Sequence, residues 1–144
     1  KFALLLFDLD LFKNANDHYG HVFGDQVLRV VAHRTQKVVR DSDVVARAGG
    51  DEFMIFLEYK TDIDSVAKRI FHSLSGAYQG FDTTISMGIA LAPADASEYE
   101  KLFYCADQAL YTVKQKGRNG YCFYDKTMKS PFSVLSPISA DKHS

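Results

Sequence analysis

The chain has no excess of charge of either sign, because 17 lysines and arginines nearly balance 18 aspartates and glutamates, and the formal net charge is -1. This balance argues against a surface built for long nucleic acids, which need a broad basic face. It does not exclude a small anionic ligand, which needs only a few local cations or a metal ion. We therefore expect no nucleic-acid polymer among the partners.

The chain is also poor in cysteine and has no long apolar run. Cys105 and Cys122 form no CxxC pair, which favours two reduced and mostly buried thiols in a cytosolic protein. Runs such as ALLLF are too short to span a bilayer, and there is no signal peptide. Because the chain begins at Lys1 inside an apolar run, we expect a cytoplasmic domain cut from a longer protein. A membrane anchor upstream is not excluded.

The composition is sufficient for one folded domain, since 47% of the 144 residues are hydrophobic and 24% are charged. Hydrophobic patterning predicts strands over residues 2–7, 83–92 and 121–124, and a hairpin with a glycine turn over 44–58. It predicts helices over 12–19, from about 25 to 39, and over 63–74 and 102–113, with Gly20 and Gly117 as terminators. Residues 126–144 are rich in serine and proline. We expect them to form a flexible tail or linker after a domain of residues 1–125.

This order of elements predicts an α+β fold. The core would be a βαββαβ unit of the ferredoxin-like or palm type, with a mostly antiparallel central sheet flanked by helices that cover one face. The last helix and the short strand after it would be additions at the C-terminal end.

Acidic residues stand where two of these strands end or begin. Asp8 closes the first strand, and Asp51 and Glu52 follow the glycines of the hairpin. If the two strands pair in the middle of the sheet, the carboxylates converge and repel each other unless a cation neutralises them. Mg²⁺ prefers one or two carboxylates together with phosphate oxygens. Any one of these acids, or Asp10, is more simply a solvated turn residue, but the combination favours a metal site.

The stretch FKNANDHYGHVFGD follows the first acid directly. Backbone N–H groups at the start of such a helix can bind an anion. Asn16 and Asp25 suit the edge of guanine, because a carboxylate accepts from N1–H and the amine while a carboxamide donates to O6. Taken alone, both are more simply helix caps. His21 would hold the turn or contact the ligand.

Two cations lie one helical turn apart in the segment VKQKGRNG, and Lys114 and Arg118 could reach the same phosphates. A basic helix C-terminus is also an ordinary surface feature, because it complements the helix dipole.

Together these stretches resemble the GGDEF domains, the diguanylate cyclases. The resemblance rests on FDLDLFKNANDHYGHVFGD, RDSD, RAGGDEF, TISMGIA and ADQALYTVKQKGRNG, which run in the family's order over residues 3 to about 124. Ala48 replaces the aromatic residue that commonly precedes the two glycines. The family's leading helix and its D-x-L-T-x-L-x-N-R stretch are not in this chain.

The resemblance implies that two GTP molecules condense to cyclic di-GMP and two pyrophosphates across a homodimer of domains, with Mg²⁺ (or Mn²⁺) as cofactor. It implies that Asp8, Asp51 and the Leu9 carbonyl hold the metal, that Asp51 also accepts the hydroxyl proton, and that Glu52 supports this site. The substrate-binding residues implied are Leu11, Phe12 and Lys13 with Lys114 and Arg118 for the phosphates, and Asn16, His21 and Asp25 for guanine and ribose.

The segment RDSD places Arg40 and Asp43 as an RxxD pair, which in this family marks an inhibitory site for the product. By itself such a pair is a surface ion pair of little energetic value. An alternative to the enzyme is a catalytically silent GGDEF-like module that binds GTP or cyclic di-GMP and regulates a neighbouring domain. We also expect an N-terminal sensory or regulatory domain in the full-length protein.

Overall fold

The computed structural model describes residues 1–60, 62–78 and 80–128. In chain order the elements are β1 (Phe2–Leu9), α1 (Phe12–Tyr19), α2 (His21–Val38), β2 (Val44–Gly49), β3 (Glu52–Glu58), α3 (Ile63–Leu74), β4 (Gly76–Tyr78), β5 (Phe81–Thr83), β6 (Ile85–Ala92), α4 (Tyr99–Gln115) and β7 (Gly120–Phe123). Most of the predicted tail, residues 129–144, lies outside the described residues. No helix in the described ranges has both the length and the apolar character to cross a membrane.

The central sheet has five strands in the order β2-β3-β1-β6-β7. Strand β1 is antiparallel to both of its neighbours, and only β7 runs parallel to its neighbour β6. In this register Asp8 lies opposite Glu52 on β3 and opposite Ser86 on β6. The predicted α+β class with a mostly antiparallel sheet is therefore confirmed, and β1 is its middle strand.

Alternate side chains of β1 enter two different hydrophobic layers. Leu5 and Phe7 pack in a layer with residues of α2 and α3. Leu4 and Leu6 point the other way and pack against Leu102, Ala106 and Leu110 of α4. The helices therefore cover both faces of the sheet. The expectation that they cover one face was wrong, because the apolar stripe of α4 needs a sheet surface of its own.

Two further differences concern the boundaries of elements. Helix α2 begins at His21 rather than near Asp25, because Gly20 alone, at φ 91°, makes the turn between the helices. The predicted strand over 83–92 begins at Ile85. Ahead of it, β4 and β5 form a separate two-stranded ribbon that the sequence pattern did not indicate. Strands of three residues are too short for a periodic signal.

Gly88 on β6 sets how closely α4 can approach the sheet. A Cβ atom at this position would lie 2.2 Å from the Leu110 nitrogen and 2.3 Å from the Ala106 oxygen. Both are helix backbone atoms, which cannot move aside as a side-chain end can. Only glycine at this position lets the backbone of α4 lie directly on β6.

We expect Gly88→Ala to lower the free energy of unfolding by about 3 kcal/mol, because the helix must move off the sheet to relieve the overlap. Urea denaturation of the two proteins measures this difference. Gly49→Ala is the matched control, since a Cβ there would meet no atom within 4 Å. Equal stability of Gly88→Ala and the parent protein would contradict this account of the packing.

Candidate functional site

A cleft of about 440 Å³ opens where β1 ends. Residues from three distant parts of the chain line it: Asp8, Leu9, Leu11, Phe12, Lys13, Asn14, Asp51, Lys114 and Arg118. All of these except Asn14 were predicted from the sequence as site residues. Asn14 carried a weak signal, as the polar neighbour of Lys13 in the first turn of α1.

The floor of the cleft is the turn between β1 and α1. Leu11 has a left-handed backbone (φ 62°) and caps α1 without a side-chain hydrogen bond. A branched apolar residue in this conformation costs roughly 1 kcal/mol. Because the Leu11 side chain supplies no acceptor, the first N–H groups of α1 are available to bind an anion. The turn therefore presents the backbone of Leu11, Phe12 and Lys13 to the cleft.

Asp8 and Lys114 form a nearly buried ion pair inside the cleft. The Lys114 Nζ lies 2.6 Å from the Asp8 Oδ2, and the two side chains are only 10% and 9% exposed. The predicted metal ligand and the predicted phosphate-binding lysine therefore contact each other directly. Asp8 Oδ1, in contrast, is buried and has no hydrogen-bond partner in the described part of the chain.

Burial raises the pKa of Asp8 to about 6 although Lys114 acts in the opposite direction. The negative charges of Asp51 and Asp10 raise it further. Burial also raises the pKa of Glu52 to about 7, and the charges of Asp107 and Asp8 add to that effect. The convergence of carboxylates expected at this sheet edge is thus present. Asp107 on α4 was not singled out from the sequence, because it is distant in the chain from the other acids.

The donor set fits a hard divalent cation that binds with few protein ligands. Over residues 1–60, 62–78 and 80–128 there is no cluster of three or more histidine, cysteine, aspartate or glutamate side chains arranged to hold a metal. The predicted set is smaller, with two carboxylates and the Leu9 carbonyl. Mg²⁺ is commonly bound through one or two carboxylates with water and phosphate oxygens as the remaining ligands. The buried, unpartnered Oδ1 of Asp8 is suited to that role.

The residues predicted for guanine lie at the junction of α1 and α2 and are not among those that line the cleft. Asn16 Nδ2 and His21 Nδ1 are 3.1 Å apart and form a hydrogen bond. A Cβ atom on Gly24 would lie 2.2 Å from Asn16 Oδ1. Glycine therefore allows the Asn16 carboxamide to lie against α2. Asp25 is exposed on the next position of that helix.

Arg40 and Asp43 of the RxxD segment contact each other. The Arg40 Nη2 donates to Asp43 Oδ1 at 2.9 Å, and the Arg40 backbone N–H donates to Oδ2 at 2.8 Å. The hydrogen bond to Asp43 raises the pKa of Arg40 above its ordinary value. A second cleft, of about 450 Å³, is lined by Arg40 and Asp43 and also by Arg69, which sequence reasoning missed. Among the residues that the structure describes, none lines both clefts.

Comparison with known proteins places these features in one family. A family model described as "Diguanylate cyclase, GGDEF domain" matches residues 1–120. The bifunctional diguanylate cyclase/cyclic di-GMP phosphodiesterase MucR of Pseudomonas aeruginosa is 41% identical over 136 residues, which cover 90% of this chain and 20% of MucR. The chain thus spans about a fifth of that relative.

Two solved structures share the fold. The GGDEF domain of TpbB (also called YfiN) from Pseudomonas aeruginosa is 33% identical, with a TM-score of 0.82 and coverage of 92% of this chain and 81% of that one. The active GGEEF domain of a diguanylate cyclase from Vibrio cholerae is 32% identical, with a TM-score of 0.74 and coverage of 86% and 83%. These matches confirm the resemblance found in the sequence.

The raised pKa of Glu52 predicts a pH dependence of stability. Because the pKa is about 7 in the folded state and 4.5 ordinarily, the folded protein binds more protons than the unfolded one between these values. The free energy of unfolding therefore falls as pH rises across this range. Glu52→Gln removes this effect. After a discount for partial exposure of Glu52, we expect the variant to be about 1 kcal/mol more stable than the parent at alkaline pH and equal to it in acid.

Urea denaturation across this range, without divalent cations, tests the expectation. Glu58→Gln, at the exposed opposite end of β3, is the control and should leave the pH profile as it is in the parent. If the stability of Glu52→Gln depends on pH in the same way as that of the parent, the pKa of Glu52 is not raised in the folded protein.

Proposed function

This chain belongs to the GGDEF domain family, and from that membership we propose that it is a diguanylate cyclase, which joins two GTP molecules into cyclic di-GMP. The observation that carries the proposal is the gathering of Asp8, Asp51 and Glu52 beside Lys114 and Arg118 around one cleft. Carboxylates that can hold a divalent cation and cations that can bind phosphates are the two requirements of phosphoryl transfer.

Asp8, Asp51 and the Leu9 carbonyl would hold Mg²⁺ or Mn²⁺, which when bound would neutralise phosphate charge and lower the pKa of the attacking hydroxyl. Asp8 must be ionised for this role, and its buried Oδ1 has no competing hydrogen bond in the described residues. Lys114 contacts the other oxygen of Asp8. It can turn from there to a phosphate without leaving the cleft. With a cation bound, the negative charge of Glu52 on the neighbouring strand would add to its attraction.

The nucleotide would lie across the turn between β1 and α1. Backbone N–H groups of Leu11, Phe12 and Lys13, together with Lys114 and Arg118, bind its β- and γ-phosphates. Guanine and ribose reach the junction of α1 and α2, where the carboxylate of Asp25 accepts from N1–H and the amine, and the carboxamide of Asn16 donates to O6. The hydrogen bond from Asn16 to His21 orients that carboxamide.

The reaction requires two copies of the domain, since each binds one GTP. The 3′-oxygen of one GTP forms a bond to the α-phosphorus of the other, and the bond from that phosphorus to the β-phosphate oxygen breaks. Pyrophosphate leaves, and Asp51 accepts the hydroxyl proton. Repetition with the roles exchanged closes the ring. A head-to-head homodimer brings the two nucleotides together in this arrangement.

The second cleft is proposed as the site of product inhibition. The side chain of Arg40 is 62% exposed, whereas the side chain of its partner Asp43 is 5% exposed. Asp43 thus fixes the guanidinium at the surface, where its remaining N–H groups can donate to guanine or phosphate. Arg69 and Lys60 add further positive charge to the same cleft. The inhibitor would be the cyclic dinucleotide itself, bound away from the first cleft.

The cyclase proposal is tested by incubation of the concentrated protein with GTP and Mg²⁺ and by chromatography for cyclic di-GMP. We expect a rate that rises faster than linearly with protein concentration, and a loss of at least about a thousandfold in Asp51→Ala. Asp64→Asn, an exposed acid on α3, is the matched control and should keep the parental rate.

Two results would count against this proposal. Near-parental turnover by Asp51→Ala would remove the role of that carboxylate. Absence of product from the parent protein, together with tight binding of GTP or cyclic di-GMP in calorimetry, would identify a regulatory module instead of an enzyme.

Arg40→Ala should relieve inhibition by cyclic di-GMP and raise the inhibition constant at least about tenfold, while the initial rate stays unchanged because the first cleft is intact. Progress curves with added product measure both quantities. Arg29→Ala removes an exposed arginine of α2 and should alter neither. Unchanged inhibition in Arg40→Ala would exclude the RxxD pair as the inhibitory site.

A further inference from the structure

Asp10 lies between residues that line the first cleft but does not line it itself. It is only 3% exposed, and donors from two segments satisfy its carboxylate. Ser86 Oγ donates to Oδ1 at 2.6 Å, Thr84 Oγ1 donates to Oδ2, and the Asn119 backbone N–H donates to Oδ2 at 3.0 Å. A buried carboxylate that accepts this many hydrogen bonds is held in one position.

The backbone of Asp10 is fixed as well. Its N–H donates to the Thr84 carbonyl at 2.9 Å, and its carbonyl accepts from Thr83 Oγ1. The residue is therefore bonded to the start of β6 through both main chain and side chain. Because Leu9 and Leu11 are its neighbours in the chain, this attachment also fixes the turn that forms the floor of the cleft.

The bond from Asn119 joins Asp10 to the turn that follows α4. Gly117, Arg118 and Asn119 all have positive φ in this turn, at 113°, 66° and 49°. For Arg118 such a conformation is rarely populated and costs roughly 1 kcal/mol, whereas asparagine adopts it more readily. Backbone hydrogen bonds hold this turn: Gly117 N–H donates to the Lys114 carbonyl at 3.4 Å, Arg118 N–H to the Val113 carbonyl at 3.0 Å, and Asn119 N–H to Asp10.

Arg118 lines the cleft from this strained turn, and Leu9 and Leu11 line it from the turn that Asp10 fixes. We propose that Asp10 is a positioning residue that holds Arg118 and the turn between β1 and α1 at the spacing a nucleotide triphosphate requires. The inference rests on the proposed binding of GTP. Asp10 acts through these two turns and does not touch the substrate.

This role predicts a loss that depends on the phosphates of the ligand. In equilibrium binding with the intact chain, Asp10→Ala should weaken GTP about tenfold or more, while guanosine, which lacks phosphates, should change less than about twofold. Asp10→Asn should restore most of the GTP affinity. It keeps an oxygen toward Asn119 and Thr84, and its amide can donate to Ser86 Oγ. Equal losses for GTP and guanosine would overturn the proposal.

A double-mutant cycle tests whether Asp10 acts through Arg118. Once Arg118→Ala has removed the guanidinium, adding Asp10→Ala should cost less than about threefold more in GTP affinity. If the two substitutions lower the GTP affinity by independent, additive amounts, Asp10 does not act through Arg118. If Asp10→Ala does not fold, Thr84→Val replaces it. This change removes one donor to Oδ2, and an unchanged GTP affinity would then count against the proposal.

Hydrogen exchange separates this inference from the proposed function. Without any nucleotide, the amide of Asn119 should exchange at least about tenfold faster in Asp10→Ala than in the parent protein, because its acceptor is gone. Unchanged exchange overturns the positioning role whether or not GTP binds. Failure of the parent protein to bind GTP, with the faster exchange observed, would reject the proposed function and leave the structural link in place.

Discussion

The middle position of β1 is the constraint on which the rest of this structure depends. The strand is paired on both edges and covered on both faces, so its charged residue, Asp8, lies at its C-terminal end, beyond the apolar part of the strand. That end brings Asp8 to a place that is nearly buried yet borders an open cleft. The hairpin, the last helix and the first short helix all meet there, because each packs against β1 or follows it directly.

The electrostatics of the cleft follow from this burial. Loss of solvation raises the pKa of Asp8 more than the adjacent Lys114 lowers it, so one lysine does not fully compensate the desolvated carboxylate. Glu52 adds further negative charge that repels that of Asp8. A divalent cation stabilises such a group of acids better than a single ammonium does. The arrangement of acids that destabilises the domain without a ligand therefore favours the binding of a cation. Titratable groups with shifted pKa values of this kind are common at functional sites.

Much of the fold could be predicted because the signals were local. Strand β1, the glycine hairpin and α3 each carry their pattern within a few residues, and the acids at the strand ends indicated the cleft once the strands were paired. The contact between Asp8 and Lys114 could not be predicted, since it joins the first strand to the last helix. The hydrogen bond from Asn119 to Asp10 could not be predicted either, because it also joins distant parts of the chain. In the same segment, Asp8 was the more obvious candidate for a functional role, as a metal ligand. The placement of α4 on the second face depends on which surface remains uncovered, a property of the whole sheet.

The register of β1 also has a consequence for the order in which the molecule can form. Phe7 pairs with Phe53 on one side and with Met87 on the other, so β1 receives its second partner only after most of this domain has been synthesised. Contacts between residues so distant in sequence slow folding. Until then one edge of the apolar run ALLLF lacks its partner strand, and an edge of this kind associates with other chains. The feature that gives the folded protein its central strand thus leaves the nascent chain with an exposed apolar edge until β6 is available.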